Sequence, residues 1–209
     1  MRTSELSDRK SHNAVRDRGY SVLIVGGGPA GLATAIELSE FGIFPLVIER
    51  SDYDDVRIGE HLQPSAVLRL RAIEARSNLS LGTHVVSAGV EAYWGSETPN
   101  YTDYFFHPGQ HGLNLSRPRF DAELARACEL SGATVLRSAT LMRALKRKRV
   151  GDAAMAFDPV ASQGIAKAFA HGKRAAANIA SHLAGEAAFL ERLPPSLERE
   201  YMAYRAYEG

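Results

Sequence analysis

Val22-Leu23-Ile24-Val25-Gly26-Gly27-Gly28-Pro29-Ala30-Gly31 is the stretch from which the fold of this chain is read. Val22–Val25 are four β-formers in a row and predict a short buried strand. The glycines then turn the chain, and the Ala-rich residues that follow predict a helix over Gly31–Phe41. A strand, a tight turn and a helix start together suit a phosphate, because the first N–H groups of a helix lack partners and carry partial positive charge. The three glycines of the pattern differ in what they allow. Gly26 permits the turn, Gly28 lets a pyrophosphate approach the backbone, and Gly31 lets the helix pack closely on the strand. Pro29 and Ala30 lie between them at the mouth of the turn.

A G-x-G-x-x-G pattern alone is a weak signal, and here its context strengthens it. Pro45-Leu46-Val47-Ile48 predicts a second strand ending at Glu49, 18 residues after Gly31, about where a ribose-binding acid belongs in this fingerprint. Arg50 follows it. The alternative for Glu49 is a solvated acid at a strand end. Strand, turn, helix, strand and acid in that order predict a dinucleotide-binding βαβ unit over Tyr20–Glu49.

At 209 residues and 22.7 kDa, the chain can build one good core or two small ones. With 45% hydrophobic and 23% charged residues it reads as an ordinary soluble globular protein, and the βαβ unit points to the α/β class. A net charge of +1, with no basic face interleaved with aromatic residues, gives no hint of nucleic acid. Cys128 is the single cysteine, so no intrachain disulfide forms, and a reducing, cytoplasmic setting is expected. It sits in a predicted helix over Phe120–Leu130, where a small buried core residue is expected rather than a reactive thiol. Residues 1–19 hold no apolar signal segment, and the longest apolar runs are strand-sized, so no membrane span is expected. The sequons at Asn78, Asn100 and Asn114 then carry no meaning. No metal-ligand cluster is expected.

Met1–Gly19, with eight charged positions, predicts a disordered tail or a contact arm. After a polar connection over Arg50–Gly59, a helix is expected to begin near Pro64 or Ser65, carrying Val67, Leu68, Leu70 and Ile73. Thr83–Trp94 alternates loosely and predicts a strand, and Tyr104-Phe105-Phe106 a second extended piece. These two pair either as the edge of a substrate-facing sheet or as a plain hairpin covering a core. Arg117-Pro118-Arg119-Phe120-Asp121 leads into a helix with Leu124, Ala127, Cys128 and Leu130, which stops at Gly132. Ala133–Leu136 then predicts another parallel strand of the nucleotide sheet. The basic run within Leu141–Val150 has no strand pattern and abuts Gly151-Asp152-Ala153-Ala154. From Gly164 onward Ile165, Phe169, Gly172, Ala176, Ile179 and Leu183 share one helix face, and a last helix is expected over Glu186–Tyr207, broken at Pro194-Pro195.

Four stretches together resemble the FAD-binding fold of the group A flavoprotein monooxygenases and the related flavin-dependent halogenases. They are Gly26–Gly31 with Glu49, Gly59-Glu60, Arg117–Asp121, and Gly151-Asp152 continuing through Pro159 to Ser162-Gln163-Gly164. The resemblance implies a Rossmann-like, GR2-type flavoprotein with FAD as cofactor. It implies Glu49 on the adenosine ribose, Arg117 on the phosphate or ribityl region, and Gly59-Glu60 near the isoalloxazine ring. Asp152 would accept a hydrogen bond from a ribityl hydroxyl, and Gln163 and Gly164 would open a helix facing the cofactor. The spacing within Gly59–Pro64 and Asp158–Gly164 is similar to that of flavoproteins that mature quinone-cofactor enzymes by acting on tryptophan in a protein partner.

Departures from that pattern accompany the matches. Only Ser138–Val150 occupies the interval where the family carries most of its substrate-binding sheet, which implies a large internal deletion and a substrate sheet largely missing. The implied organisation is a tail over 1–19, an FAD-binding domain over 20–185 with a truncated substrate region at about 83–116, and a C-terminal helical segment over 186–209. Halogenation is disfavoured, since the family's halogenases use a lysine near the flavin, no lysine occurs between Gly59 and Lys146, and Trp94 is the only tryptophan. Hydroxylation through a flavin hydroperoxide, on an aromatic molecule or a protein-borne substrate, is the expected chemistry, with NAD(P)H or a flavin reductase as electron source. No catalytic acid or base is identified. His61 is a candidate by position, with a structural role as its alternative. A catalytically incomplete lobe that binds a nucleotide or a partner remains the second reading, and a nicotinamide-binding domain the third, for which Gly151-Asp152 would have no use.

Overall fold

The computed structural model describes residues 19–57, 61–77, 81–93, 97–142 and 164–185. Expectations for the tail before Gly19, for Gly59-Glu60, for the basic run, for Gly151-Asp152 and Gln163, and for Glu186–Tyr207 lie outside these residues.

Strand β1 (Leu23–Val25) leads through the glycine turn into helix α1 (Pro29–Ser39), which returns the chain to β2 (Leu46–Ile48). The helix begins two residues before the expected start because Gly28 serves as its N-cap and Pro29, whose ring presets the helical φ, takes the first position. It ends at Ser39 rather than Phe41, where Gly42 turns the chain at φ +71°. Strand β2 pairs in parallel with β1, Val47 opposite Ile24, and on its other edge with β8 (Thr134–Leu136), Val47 opposite Val135. The expected third parallel strand is therefore present, in the order β1-β2-β8.

A second, antiparallel sheet has the order β3-β7-β4, built from β3 (His61–Leu62), β4 (Val85–Ser87) and β7 (Gly112–Asn114). Neither β3 nor β7 is expected from the sequence. The expected Thr83–Trp94 strand is split into β4 and β5 (Gly89–Ala92), and β5 forms a hairpin with β6 (Asn100–Asp103). The extended piece expected at Tyr104–Phe106 is a correction: those residues form a turn. The Asp103 carboxylate accepts the Phe105 N–H at 2.9 Å, and the His107 N–H reaches the Tyr104 carbonyl at 3.0 Å. An Asx-type bond of this kind closes a turn in place of a strand ladder.

Helices α2 (Pro64–Ser77), α3 (Arg117–Leu130) and α4 (Gly164–Leu183) complete the described elements. Helix α3 starts three residues before the expected Phe120, with Ser116 as N-cap and Pro118 in its first turn, and Gly132 follows its end at φ +101°. Helix α4 lies against α1 at Gly172, where a Cβ would sit 3.0 Å from the Thr34 nitrogen and 3.1 Å from the Ala33 Cβ. Ile165, Phe169, Gly172 and Ala176 of its expected face are buried, whereas Ile179 is half-buried and Leu183 exposed, because the contact ends before the last turn. One core joins Leu32 and Ile36 of α1, Val47 of β2, Leu70 of α2, Phe120 and Leu124 of α3 and Phe169 of α4.

The expectation that β1 is buried is also corrected. Ile24 faces α1, but Leu23 is 46% and Val25 62% exposed on the opposite face. A strand at the edge of a sheet whose helices pack on one side keeps alternate side chains in water.

Candidate cofactor site

The site forms where β1, the head of α1 and the end of β2 meet. Gly26 adopts φ +102°, a conformation that costs an L-residue roughly 1–2 kcal/mol, so glycine is required at the turn. At Gly31 a Cβ would collide with the Gly26 carbonyl and lie 3.1 Å from Ile24 Cγ2, which fixes how closely α1 sits on β1. Gly28 differs from both. Its backbone is ordinary and extended, φ −77° and ψ −178°, and a Cβ there would meet nothing within 4 Å. The space beside Gly28 is open.

Helix α1 has no side-chain cap and no acidic residue in its first turn. Its early N–H groups and the positive end of its dipole therefore lie at that open space with no acid of the helix itself beside them. Pro29, Ala30 and Gly31 line this end and are half-buried.

Glu49, at the end of β2, is buried and faces the turn. Its Oε2 accepts the Gly27 N–H at 2.7 Å, and Oε1 accepts the Ser51 N–H at 3.0 Å, the Ser51 hydroxyl at 2.7 Å and an Arg57 Nη2 hydrogen at 3.0 Å. Burial raises its pKa, but the bonds from Ser51, Gly27 and Arg57 together outweigh burial and hold the carboxyl below its ordinary value. Glu49 is thus an ionised acid locked against the glycine turn, not a solvated strand end. Arg50 beside it is exposed.

Sequence reasoning missed the polar cluster that continues from Glu49. Arg57 also bonds the Ser51 hydroxyl and stands 3.6 Å from Asp121 Oδ2. Asp121, on α3, receives Arg117 Nη2 at 3.0 Å and Nε at 3.3 Å. Burial raises the Asp121 pKa against the opposing pull of Arg117 and Arg57. Arg117 is itself buried, and its guanidinium is turned along α3 onto Asp121 four residues later. Tyr53, with φ +66°, lies under both Arg57 and Arg137, whose guanidinium carbons stand 5.9 and 5.6 Å from its ring centre. The local signals for this cluster are a serine two residues after a strand-end acid and the i,i+4 spacing of Arg117 and Asp121 on α3; the cluster as a whole meets through the tertiary fold.

His61 sits apart, in the antiparallel sheet. Its Nδ1 pairs with Asn114 Oδ1 at 2.8 Å and its Nε2 with the Tyr104 hydroxyl at 2.9 Å, so both ring nitrogens are engaged in tying β3 to β7 and to the turn after β6. Gly164 opens α4, exposed, with open space where a Cβ would stand. Cys128 is fully buried, and burial, followed by the Glu129 charge, pushes its thiol up to about 12. No group of three or more potential metal ligands occurs among the described residues. Among them, no helix is long and apolar enough to cross a membrane.

Comparison with known proteins identifies the family and the cofactor. The family model of the FAD binding domain matches residues 19–147. The flavin-dependent halogenase gsfI of Penicillium aethiopicum is 29% identical over 123 residues, covering 58% of this chain and 23% of that protein. LodB of Marinomonas mediterranea, assigned as an FAD-dependent oxidoreductase, is 29% identical over 119 residues, covering 56% and 32%. The solved structure of the myxobacterial chondrochloren halogenase CndH superposes with a TM-score of 0.51 and 26% identity, covering 57% of this chain and 28% of that one. The chain thus spans between a fifth and a third of the length of these relatives. With well over half of its residues matched by the family model, the chain belongs to the FAD binding domain family, and its cofactor is FAD.

Proposed function

We propose that this chain acts as an FAD-dependent oxidoreductase of the monooxygenase type, using the β1–α1 turn and Glu49 to hold the adenosine half of the cofactor. The observation that carries this reading is the pairing of an open, uncapped helix start at Gly28 with a buried, ionised Glu49 bonded to the Gly27 N–H. Both suit the group: the helix start attracts an anionic pyrophosphate, and a carboxylate at the strand end accepts from ribose hydroxyls. Pro29, Ala30 and Gly31 form the wall of the phosphate pocket, and Arg50, exposed beside Glu49, faces the adenosine end. Arg117 acts on the cofactor through the cluster it shares with Asp121, Arg57 and Glu49. Glu60, Gly151, Asp152, Gln163 and Gly164 belong to the flavin end.

When bound, the flavin supplies electron transfer and oxygen activation. The residues of this chain bind and orient it. The substrate class that fits the reading is an aromatic molecule or an aromatic side chain of a protein, with NAD(P)H or a separate flavin reductase as electron source.

The visible spectrum of the purified chain tests the cofactor site. Oxidised-flavin bands, present as isolated or acquired on adding FAD, are the expected result, and a preparation that stays colourless with FAD overturns the assignment. A second reading, halogenation, is favoured by the names of gsfI and CndH. The absence of lysine between Gly59 and Lys146 speaks for oxygen insertion instead. Supplied with a flavin reductase and tryptophan, free or in peptides, the chain is expected to give oxygenated products whose yield is independent of chloride and bromide. Halide-dependent products decide for halogenation.

A further inference from the structure

Tyr53 is the residue of the site whose arrangement the fold alone leaves unexplained. It is 3% exposed, and among the described residues its hydroxyl has no hydrogen-bond partner. A buried hydroxyl without a partner is costly, and native structures rarely keep one unless something else satisfies it. The hydroxyl lies against Gly27: a Cβ added there would run into the Tyr53 oxygen and come within 2.8 Å of Glu49 Cβ. Glycine at position 27 is thus what lets the tyrosine reach the turn. The Tyr53 backbone holds φ +66°, which a bulky L-residue rarely adopts without support.

The cover over the ring is also unusual. Besides core residues, the ring has the guanidinium groups of Arg57 and Arg137 over it, with side chains 24% and 35% exposed. Arg57 is shared with Glu49 and Ser51, and Arg137 with both oxygens of Glu129 at 3.1 Å. Partly exposed guanidinium groups are drawn readily toward an arriving diphosphate.

We infer that Tyr53 is a cofactor-binding residue whose hydroxyl donates a hydrogen bond to an oxygen of the ADP portion of FAD, a partner that no described residue supplies. The inference rests on the reading of the β1–α1 turn as the adenosine site. Tyr53, Arg57 and Arg137 act together there: the tyrosine meets the cofactor with its hydroxyl, and the arginines over its ring meet the phosphates.

The test is Tyr53→Phe in the full chain, freed of flavin, with FAD and ADP affinity measured by calorimetry. Affinity for both is expected to fall about tenfold, the usual size for one lost hydrogen bond to a polar or charged acceptor. The ligand-free unfolding temperature is expected to stay level or rise, because the substitution removes a buried polar atom that has no partner among the described residues. Affinities within twofold of wild type overturn the inference while leaving the site reading intact. Wild-type chain that binds neither FAD nor ADP overturns the site reading and this inference with it. A measurement that needs no variant is the near-ultraviolet tyrosine difference spectrum of the wild-type chain on adding ADP. A red shift from a newly bonded phenol is expected, and a flat spectrum at saturating ADP rules against Tyr53.

Discussion

Adding one methyl group at Gly31 and one at Gly28 separates the two jobs of the glycine turn. At Gly31 the new Cβ meets the Gly26 carbonyl oxygen, with the Gly26 carbon at 3.2 Å and Ile24 Cγ2 at 3.1 Å. Two of these three atoms are backbone at the end of a strand that is paired to β2, so they yield little. Overpacking a close contact costs about 1–3 kcal/mol, and a backbone obstacle belongs at the upper end. Alanine's better helix propensity offsets about 1 kcal/mol of that, which leaves Gly31→Ala destabilised by about 2 kcal/mol. For a chain of this size that corresponds to a loss of about 4–8 °C in Tm. At Gly28 the methyl meets nothing, and the φ and ψ suit alanine. A small N-cap loss of up to about 1 kcal/mol is balanced by a less flexible unfolded chain, so stability stays within about 0.5 kcal/mol. The methyl does enter the open space beside the uncapped helix start, and FAD affinity is expected to fall at least tenfold. Thermal unfolding of both variants, with FAD titration, checks the pair. Wild-type stability in Gly31→Ala would refute the packing argument, and wild-type FAD affinity in Gly28→Ala would refute the pyrophosphate's approach at that position.

Glu49→Gln keeps the shape of the acid but removes the charge that faces Arg57 and the Gly27 N–H. A loss of about 2 kcal/mol in urea unfolding is expected, since charged hydrogen bonds are worth roughly 1.5–3 kcal/mol, together with weaker FAD binding. His84 is buried beside Phe120; burial lowers its pKa, with the nearby Glu123 opposing and Arg119 adding to the shift. A depressed folded pKa means that the fold prefers neutral His84. Its contribution is therefore present above the unfolded value near 6.5 and is lost as pH falls through the lower folded one. Stability should decline on acidification below about pH 6.5, and His84→Gln should flatten that decline in a pH series of Tm values. Cys128, with its thiol pushed up to about 12 and no exposure, should resist alkylation at pH 8 in the folded chain and react at once in denaturant, as mass spectrometry would record.

The β1–turn–α1–β2 unit was legible because its signals are local: β-formers, glycines at fixed offsets and an acid at a fixed distance all act within about thirty residues. Helix α4 was legible for the same reason, its apolar residues recurring at helical spacing, and so was β8 after Gly132. The parts that needed the tertiary structure are those whose causes are distant in the chain. Strands β3 and β7 are two and three residues long and exist through their partners, His61 opposite Asn114 and Leu62 opposite Leu113, so no periodicity announces them. The turn at Tyr104 replaced an expected strand because the Asp103 side chain captured a backbone N–H. Glu49 was identified from spacing, but its ionised, locked state depends on Gly27, 22 residues away, and on Ser51 and Arg57. Tyr53, Arg57 and Arg137 carry no pattern in the sequence, for polar residues in connecting segments look alike until the fold brings them together, and Asp121, quoted within the Arg117–Asp121 stretch, showed nothing there of its pairing with Arg57. The sequence by itself determined a strand, glycine turn and helix start of the kind that suits a diphosphate. Only the tertiary structure decided which charges and which phenol surround that turn, because burial and pairing are properties of the packed chain and not of its order.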